Sequence, residues 1–114
     1  MTMIYDITPC PKPRMTQRDK WKKRPCVLRY RAFCDEVLLK NVRLPLEEPF
    51  HIIFYIQTPK KFISRIGRPH RIRPDLDNYV KALFDAIYRD DSHIADFRAT
   101  KVWAKYGAIE IKPL

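Results

Sequence analysis

Residues 71–91 read RIRPDLDNYVKALFDAIYRDD and contain the clearest helical pattern of the chain. Apolar side chains recur there at three- and four-residue spacing, at Leu76, Tyr79, Val80, Leu83, Phe84 and Ile87. This periodicity predicts an amphipathic helix over residues 76–87 with a buried apolar stripe. Pro74 cannot lie inside that helix, and Asp75 suits the N-cap position just before it.

The remaining predicted elements flank this helix. MIYDIT (residues 3–8) predicts a short strand, and the apolar spacing from Val27 to about Lys40 predicts another helix. FHIIFYIQT (residues 50–58) is dense in β-branched and aromatic residues, which predicts a buried central strand. Residues 94–103 and 108–112, separated by the turn signal KYG, predict a hairpin. The order β-α-β-α-β-β predicts an α+β fold: a single domain, residues 1–114, with a small mixed sheet and two helices.

The charge of the chain points to a polyanionic partner. Its 114 residues carry a formal net charge of +10, with a sequence pI near 9.8. Nucleic acid is the polyanion that we expect, because the alternative of a membrane-lying helix is disfavoured by the many prolines in the basic runs. No apolar run approaches the roughly 20 residues of a membrane helix, and MTMIYDITP lacks the features of a signal peptide. We therefore expect a cytoplasmic protein with no membrane partner.

The cysteines and histidines show no metal-binding pattern. The three cysteines, Cys10, Cys26 and Cys34, follow no metal-ligand spacing and are expected to be free thiols in a reducing compartment. The three histidines are scattered along the chain, and we expect them at the surface or in packing rather than on zinc.

Two basic stretches, each interrupted by prolines, form the candidate phosphate-binding surface. The first basic loop covers residues 9–25, and the second basic loop covers residues 59–74. The predicted phosphate contacts are Lys12, Arg14, Arg18, Lys20, Lys22, Lys23 and Arg24 in the first loop, and Lys60, Lys61, Arg65, Arg68, Arg71 and Arg73 in the second. Trp21 and Phe62 either stack on exposed bases or pack against their own loops.

The acids follow directly behind the second basic loop. No acid occurs from His51 to Pro74, and then Asp75, Asp77, Asp85, Asp90 and Asp91 come in quick succession. One explanation is purely structural: Asp75 caps the helix, and Asp77 forms a surface ion pair with Lys81 four residues later. Asp85, on the Lys81 side of the helix, is expected to tune that lysine or to stabilise the helix.

A metal site is the alternative explanation. Carboxylates from separate segments suit a hard divalent cation such as Mg²⁺. Acids inside a basic surface disfavour phosphate binding unless a metal neutralises them, and a metal held by Asp75 and Asp77 resolves that conflict. Lys81, one turn from Asp77, is then suited to stabilise charge on a scissile phosphate.

Asp91 joins such a site only under a geometric condition. A helix over residues 76–87 is about 18 Å long, so Asp91 begins far from Asp77. The two acids meet if the chain doubles back after Ile87. The strand that starts near Ile94 must then run alongside the first turn of the helix.

The ordered acidic pattern resembles a known family. Asp-Leu-Asp-Asn at residues 75–78, then Lys81, Asp85-Ala86, Asp90-Asp91-Ser92 and Ile94, is similar to the RusA Holliday-junction resolvases, which are small phage and prophage endonucleases. PKPRMT in the first basic loop, the overall length and the terminal strand pair are also similar to that family. The resemblance therefore spans nearly the whole chain, and its ordered set of acids and lysine is specific where a lone D-x-D is weak.

The resemblance implies an endodeoxyribonuclease that resolves four-way DNA junctions by paired nicks, as a homodimer that uses Mg²⁺ or Mn²⁺, in recombination and repair within a bacterial cell. By matching motif positions, it implies catalytic roles for Asp75, Asp77, Lys81 and Asp91, with the three aspartates as metal ligands. Asp90 is the adjacent acid and could substitute in part. His93 stands where a glutamine is usual and is assigned no role.

Two other functions stay open at this point. One is a non-catalytic basic DNA-binding protein whose aspartates only cap and pair. The other is a metal nuclease that acts on other branched DNA or on RNA. We favour metal-assisted phosphodiester hydrolysis.

Overall fold

The computed structural model describes residues 2–13, 24–45, 48–88 and 94–114. In these ranges the elements follow the predicted order: β1 (Met3–Tyr5), α1 (Pro25–Leu39), β2 (Phe50–Gln57), α2 (Leu76–Ile87), β3 (Phe97–Ala104) and β4 (Ala108–Pro113). A short 3₁₀ segment, Lys60–Arg65, lies between β2 and α2. The predicted α+β class, a small mixed sheet with two α-helices in the described ranges, is confirmed.

The strands form a mixed sheet in the order β1-β4-β2-β3. β2 pairs parallel with β3 and antiparallel with β4, and β1 pairs antiparallel with β4. The central place of β2 agrees with its composition, because Phe50, Ile52 and Phe54 are at most 2% exposed. The neighbouring strands pair the main-chain groups on both edges of β2, and the helices cover its apolar row.

The predicted hairpin of the last two strands is wrong. Both strands form, but β2 lies between them, so the connection from Ala104 to Ala108 crosses the end of β2. α2 joins β2 to β3 as a crossover connection, which makes these two strands parallel neighbours. The KYG signal correctly marks a reversal of the chain, but a reversal does not by itself specify which strand lies next to which.

Both helices contribute to one hydrophobic core that covers one face of the sheet. Tyr30, Phe33 and Val37 of α1 join this core together with the central strands. From α2, Tyr79 packs on Phe54 of β2, with ring centroids 5.7 Å apart. These contacts fix the position of α2 against the sheet, and its bounds are the ones that the sequence predicts.

The cysteines are free, and Cys10 and Cys34 pack against the core. Cys10, Cys26 and Cys34 form no disulfide. Burial raises the pKa of the Cys10 and Cys34 thiols, which keeps both in the neutral form near pH 7. No helix in the part of the chain that the structure describes is long and apolar enough to cross a membrane.

We predict that the core face of α2 dominates stability. Leu83 is fully buried, and Leu83→Ala should lower the free energy of unfolding by about 2–5 kcal/mol because it leaves a cavity. Leu39→Ala is the matched control, since Leu39 on α1 is 85% exposed and should change stability by no more than about 0.5 kcal/mol. Urea denaturation of both variants checks this, and equal losses would contradict the packing described above.

Candidate active site

The first turn of α2 presents two carboxylates at the surface. Asp75 is the N-cap residue, as predicted, but its side chain makes no capping hydrogen bond. Asp77 lies in the first turn and is also exposed. Within the described ranges, Asp77 and Lys81 form no ion pair either. The purely structural explanation predicted a capping bond for Asp75 and an ion pair for Asp77. Neither contact forms among the described residues.

An open groove of about 790 Å³ lies beside Asp77, between α2 on one side and β3 with the segment before it on the other. Asp77 and Lys81 lie along this groove, and apolar side chains line the rest of it: Leu76, Val80, Phe84, Ile94, Phe97 and Ala99. Phe97 packs edge-on against Phe84, with ring centroids 5.1 Å apart. The groove therefore has an apolar wall next to one acid and one base.

β3 runs antiparallel to α2. Its first residue, Phe97, lies against Phe84 in the second half of the helix, and Lys101 reaches the turn before the helix. The later part of β3, rather than its start, is thus level with the first turn, so the expected placement of the strand start beside that turn is wrong. Ile94 nevertheless lines the same groove as Asp77.

Several predicted site residues lie outside the described residues. These are Asp90 and Asp91 together with Arg14, Arg18, Lys20, Trp21, Lys22 and Lys23. Among the residues that the structure does describe, no three or more His, Cys, Asp or Glu side chains group closely enough to hold a metal ion. In the part of the chain that the structure describes, Asp75 and Asp77 therefore have no third His, Cys, Asp or Glu side chain close by.

Asp85 contacts the first basic loop instead of Lys81. It forms an ion pair with Lys12, which lies 73 residues earlier in the chain. The main-chain N–H of Lys12 also donates to the Asn78 carbonyl at 3.2 Å. These contacts attach the start of the first basic loop to α2. Arg24, at the other end of that loop, is the N-cap residue of α1.

The second basic loop is bound along the outer edge of β3. The N–H of Gly67 donates to the Trp103 carbonyl at 2.8 Å, and the N–H of Trp103 donates to the Arg68 carbonyl at 3.0 Å. The N–H of His70 donates to the Lys101 carbonyl at 3.0 Å. Gly67 has a φ of 88°, a conformation that residues with a side chain rarely adopt. Main-chain hydrogen bonds therefore position this loop.

The cations of the second basic loop are not neutralised by acids. Within the described residues, none of its six basic side chains forms an ion pair: Lys60, Lys61, Arg65, Arg68, Arg71 and Arg73. Five of them are exposed, and Arg65 is half-buried. A surface of unpaired cations next to the start of α2 is suited to bind phosphate groups.

Aromatic packing against Trp103 of β3 also supports the second basic loop. Phe62 packs on Trp103 with ring centroids 6.0 Å apart, and the Arg65 guanidinium stacks over the Phe62 ring at 3.9 Å. The buried His70 ring lies 4.2 Å from the Trp103 ring. Burial, together with the nearby Lys101 charge, lowers the pKa of His70, so it packs as a neutral ring. Phe62 therefore packs against its own loop and β3.

Lys101 on β3 contacts the turn before Asp75, a contact that was not predicted from the sequence. Its Nζ donates to the Ile72 carbonyl at 2.6 Å and to the Pro74 carbonyl at 2.5 Å, directly before Asp75. Burial lowers the pKa of Lys101, and the nearby Asp75 carboxylate opposes that shift. The sequence does hold a signal: a lysine in register with Phe97, Ala99 and Trp103 occupies a core-facing row of β3.

Together these features define a small basic α+β protein with an acidic pair beside a cationic loop, which is the arrangement expected of an enzyme that acts on nucleic acid. The family description "Endodeoxyribonuclease RusA" matches residues 5–112, so the chain belongs to the RusA endodeoxyribonuclease family. Over 43 residues the chain is 40% identical to the "Uncharacterized protein YqaN" of Bacillus subtilis (strain 168). That match covers 34% of this chain and 30% of the Bacillus protein.

We predict that Asp75 contributes little to the stability of α2. Because its carboxylate makes no capping hydrogen bond, Asp75→Ala should change the free energy of unfolding by less than about 0.5 kcal/mol in about 0.5 M NaCl, which screens the helix dipole. Urea denaturation with a chelator present measures this change. A loss of about 1–2 kcal/mol would show instead that Asp75 is a capping residue.

Proposed function

We propose that the protein is a divalent-metal-dependent endonuclease that resolves four-way (Holliday) DNA junctions by paired nicks, in DNA recombination and repair. One observation carries the proposal. The carboxylates of Asp75 and Asp77 lie at the start of α2 with no capping bond or ion pair to any described residue, directly behind a loop of unpaired cations. Membership of the RusA endodeoxyribonuclease family supports it.

The residues present fit Mg²⁺ or Mn²⁺. Both cations prefer oxygen ligands, and Mg²⁺ is commonly held by one or two carboxylates together with substrate phosphates and waters. Asp75 and Asp77 are exposed and two positions apart, so both carboxylates are accessible from solvent. Because the helix does not use them for capping, binding a cation would break no capping hydrogen bond.

We propose Asp91 as the third ligand. Ile94 lines the same groove as Asp77, and Asp91 precedes Ile94 by three positions in the chain. An extended chain spans about 10 Å over three residues, so chain length alone would allow an acid at position 91 to reach the groove. Asp90 is the alternative ligand, because it is the adjacent acid.

The chain's own residues have separate tasks in the proposed reaction. A bound divalent cation would supply Lewis-acid activation of a water and stabilisation of the leaving oxygen. Asp75, Asp77 and Asp91 would hold that cation against the scissile phosphate. Lys81 is exposed on the groove and pairs with no acid in the described ranges, so its ammonium would stabilise negative charge that develops on the phosphate.

The second basic loop is the proposed contact surface for the DNA backbone. Its unpaired cations precede Asp75 in the chain, and their loop is bound to the edge of β3. Phosphates held there would pass beside the start of α2, because the loop ends at Asp75. The predicted cations of the first basic loop would extend this surface, with Lys12 already bound to α2 through Asp85.

Paired nicks require two equivalent sites. A homodimer with a two-fold axis provides them, since each protomer then cuts one strand of a symmetric junction. We therefore propose a homodimer that acts in the bacterial cytoplasm, encoded by a phage or prophage.

The proposed reaction predicts that Asp77 is essential. With Mg²⁺, the wild-type protein should nick a synthetic four-way junction, and Asp77→Asn should lower the rate by about 100-fold or more because a metal ligand is lost. Asp35→Asn is the matched control, since Asp35 is an exposed acid on α1, outside the site. Denaturing gels of end-labelled junction strands give both rates.

Each of the other outcomes would contradict the proposed function in a different way. Equal cutting by Asp77→Asn and wild type would contradict the metal site. Junction binding without cutting by either protein would indicate a non-catalytic DNA-binding protein. Cutting of linear duplex or RNA as fast as junctions would indicate a metal nuclease with another substrate.

The contact surface predicts a specific salt dependence. Arg71→Ala should weaken junction binding without metal and should lower the slope of log affinity against log salt concentration by about 1, since one phosphate contact is lost. Arg31→Ala, which removes an exposed arginine from α1, is the control and should leave the slope unchanged. Fluorescence anisotropy measures both slopes, and an equal effect of the two substitutions would contradict the assigned surface.

A further inference from the structure

We propose that Lys101 is a positioning residue for Asp75: its ammonium holds the turn of residues 72–74 and thereby sets the carboxylate where a divalent cation binds. This inference rests on the proposed function, because it assigns Lys101 to the same site. It adds a residue from β3 to a site that the sequence motif confines to α2 and the segment after it.

Lys101 occupies an unusual position for a lysine. It lies opposite Phe54 of β2, and Phe54 is fully buried on the face of the sheet that the helices cover. Phe97, Ala99 and Trp103 share that row of β3, so an apolar residue is expected at position 101. Lys101 is half-buried rather than buried, and its ammonium binds main-chain carbonyls, which gives a lysine in this row a role other than core packing.

Both hydrogen bonds of the ammonium connect to the segment before α2. Nζ of Lys101 donates to the Ile72 carbonyl at 2.6 Å and to the Pro74 carbonyl at 2.5 Å. The main-chain carbonyl of Lys101 also accepts from the N–H of His70 at 3.0 Å. Three hydrogen bonds therefore join this one residue to residues 70–74.

The turn depends on these bonds. Residues 71–74 form no main-chain hydrogen bond with another main-chain group in the described ranges. The first main-chain bond after them runs from the N–H of Asn78 to the Asp75 carbonyl at 3.1 Å, inside the first turn of α2. The Lys101 ammonium is thus the principal hydrogen-bonding partner of the turn among those residues.

Peptide geometry transmits this restraint to Asp75. The carbonyl of Pro74 lies in the same planar peptide unit as the nitrogen and Cα of Asp75. A hydrogen bond that fixes the direction of the Pro74 carbonyl therefore fixes where the Asp75 side chain starts. Because the carboxylate makes no capping bond of its own, its placement depends on this main-chain restraint.

The direction in which metal affinity changes when Lys101 is replaced distinguishes a positioning role from a simple charge effect. A cation beside Asp75 repels a metal ion, so removing a mere counter-charge would tighten metal binding. If Lys101 instead positions Asp75, its removal must weaken metal binding although a repelling charge is lost. Partners that orient metal ligands typically contribute about 10–100-fold to metal affinity.

Mn²⁺ affinity in the absence of DNA tests this inference. We expect Lys101→Met, which keeps most of the side-chain volume but no donor, to weaken Mn²⁺ binding by about 10–100-fold. Lys101→Arg should recover much of that affinity, because a guanidinium also donates to two carbonyls. The electron paramagnetic resonance signal of free Mn²⁺ gives the affinity, and circular dichroism gives the folded fraction of each variant.

Lys40→Met is the matched control. Nζ of Lys40 also donates to a main-chain carbonyl, that of Asp6, but at the C-terminal end of α1. This variant loses the same kind of bond, together with an ion pair to Glu36, and should bind Mn²⁺ like the wild type. If Lys101→Met does not fold, Lys101→Gln replaces it and should show the same loss, because its shorter side chain does not reach both carbonyls.

Three results would overturn the inference. Unchanged or tighter Mn²⁺ binding by Lys101→Met, while Asp75→Asn loses binding, removes the role of Lys101 and leaves the metal site intact. Equal weakening in Lys40→Met attributes the effect to general stability. Absence of Mn²⁺ binding by the wild-type protein removes the metal site and the role of Lys101 together.

Discussion

The packing of Tyr79 on Phe54 sets the position of the site relative to the sheet. Phe54 lies on the central strand, which is paired on both edges, and Tyr79 lies one turn after Asp75. Both rings are buried, so the first turn of α2 is held against the central strand of the sheet. The parallel pairing of β3 with β2 then brings Lys101 beside the turn that precedes Asp75. Asp75 is thus positioned by core packing from one side and by a lysine of β3 from the other.

The second basic loop carries like charges whose mutual repulsion other contacts must offset. Ion pairs with described residues do not provide that stabilisation. Main-chain hydrogen bonds to Trp103 and Lys101 provide it instead, together with the stacking of Arg65, Phe62 and His70 around Trp103. Because the loop is fixed through its main chain and its aromatic rings, most of its cationic side chains stay available for phosphates. Asp75 and Asp77 are likewise left available for a ligand. The positive end of the helix dipole favours both carboxylates, and Asp75 makes no capping hydrogen bond.

Local patterns in the sequence predicted the local structure well. The bounds of α2 and the N-cap position of Asp75 follow from an apolar period and one proline, and both are observed. The order of elements and the α+β class follow in the same way. The motif of acids and lysine in α2 also identified the RusA family, whose match covers residues 5–112.

Features that depend on distant parts of the chain could not be predicted. β3 and β4 are separated by the apolar strand β2, which occupies a central position in the sheet. The turn signal between β3 and β4 is local and carries no information on that placement. The pairing of Asp85 with Lys12 joins residues 73 positions apart, and Lys101 contacts a turn 27 to 29 positions earlier. Such contacts follow from the packing of α2 on the sheet, which no spacing within α2 records. The capping role of the Asp75 side chain was the natural local prediction, and the structure shows no capping bond.

The proposed reaction depends on a divalent cation bound between the start of α2 and the segment that precedes Ile94. A crystal structure of the protein with Mn²⁺, with anomalous diffraction data collected to locate the metal, tests this claim most directly. We expect an anomalous peak within about 2.0–2.3 Å of carboxylate oxygens of Asp75, Asp77 and Asp91, with Lys81 beside the same groove. An anomalous map with no peak at Asp75 and Asp77, or with Mn²⁺ bound only elsewhere on the protein, would contradict it.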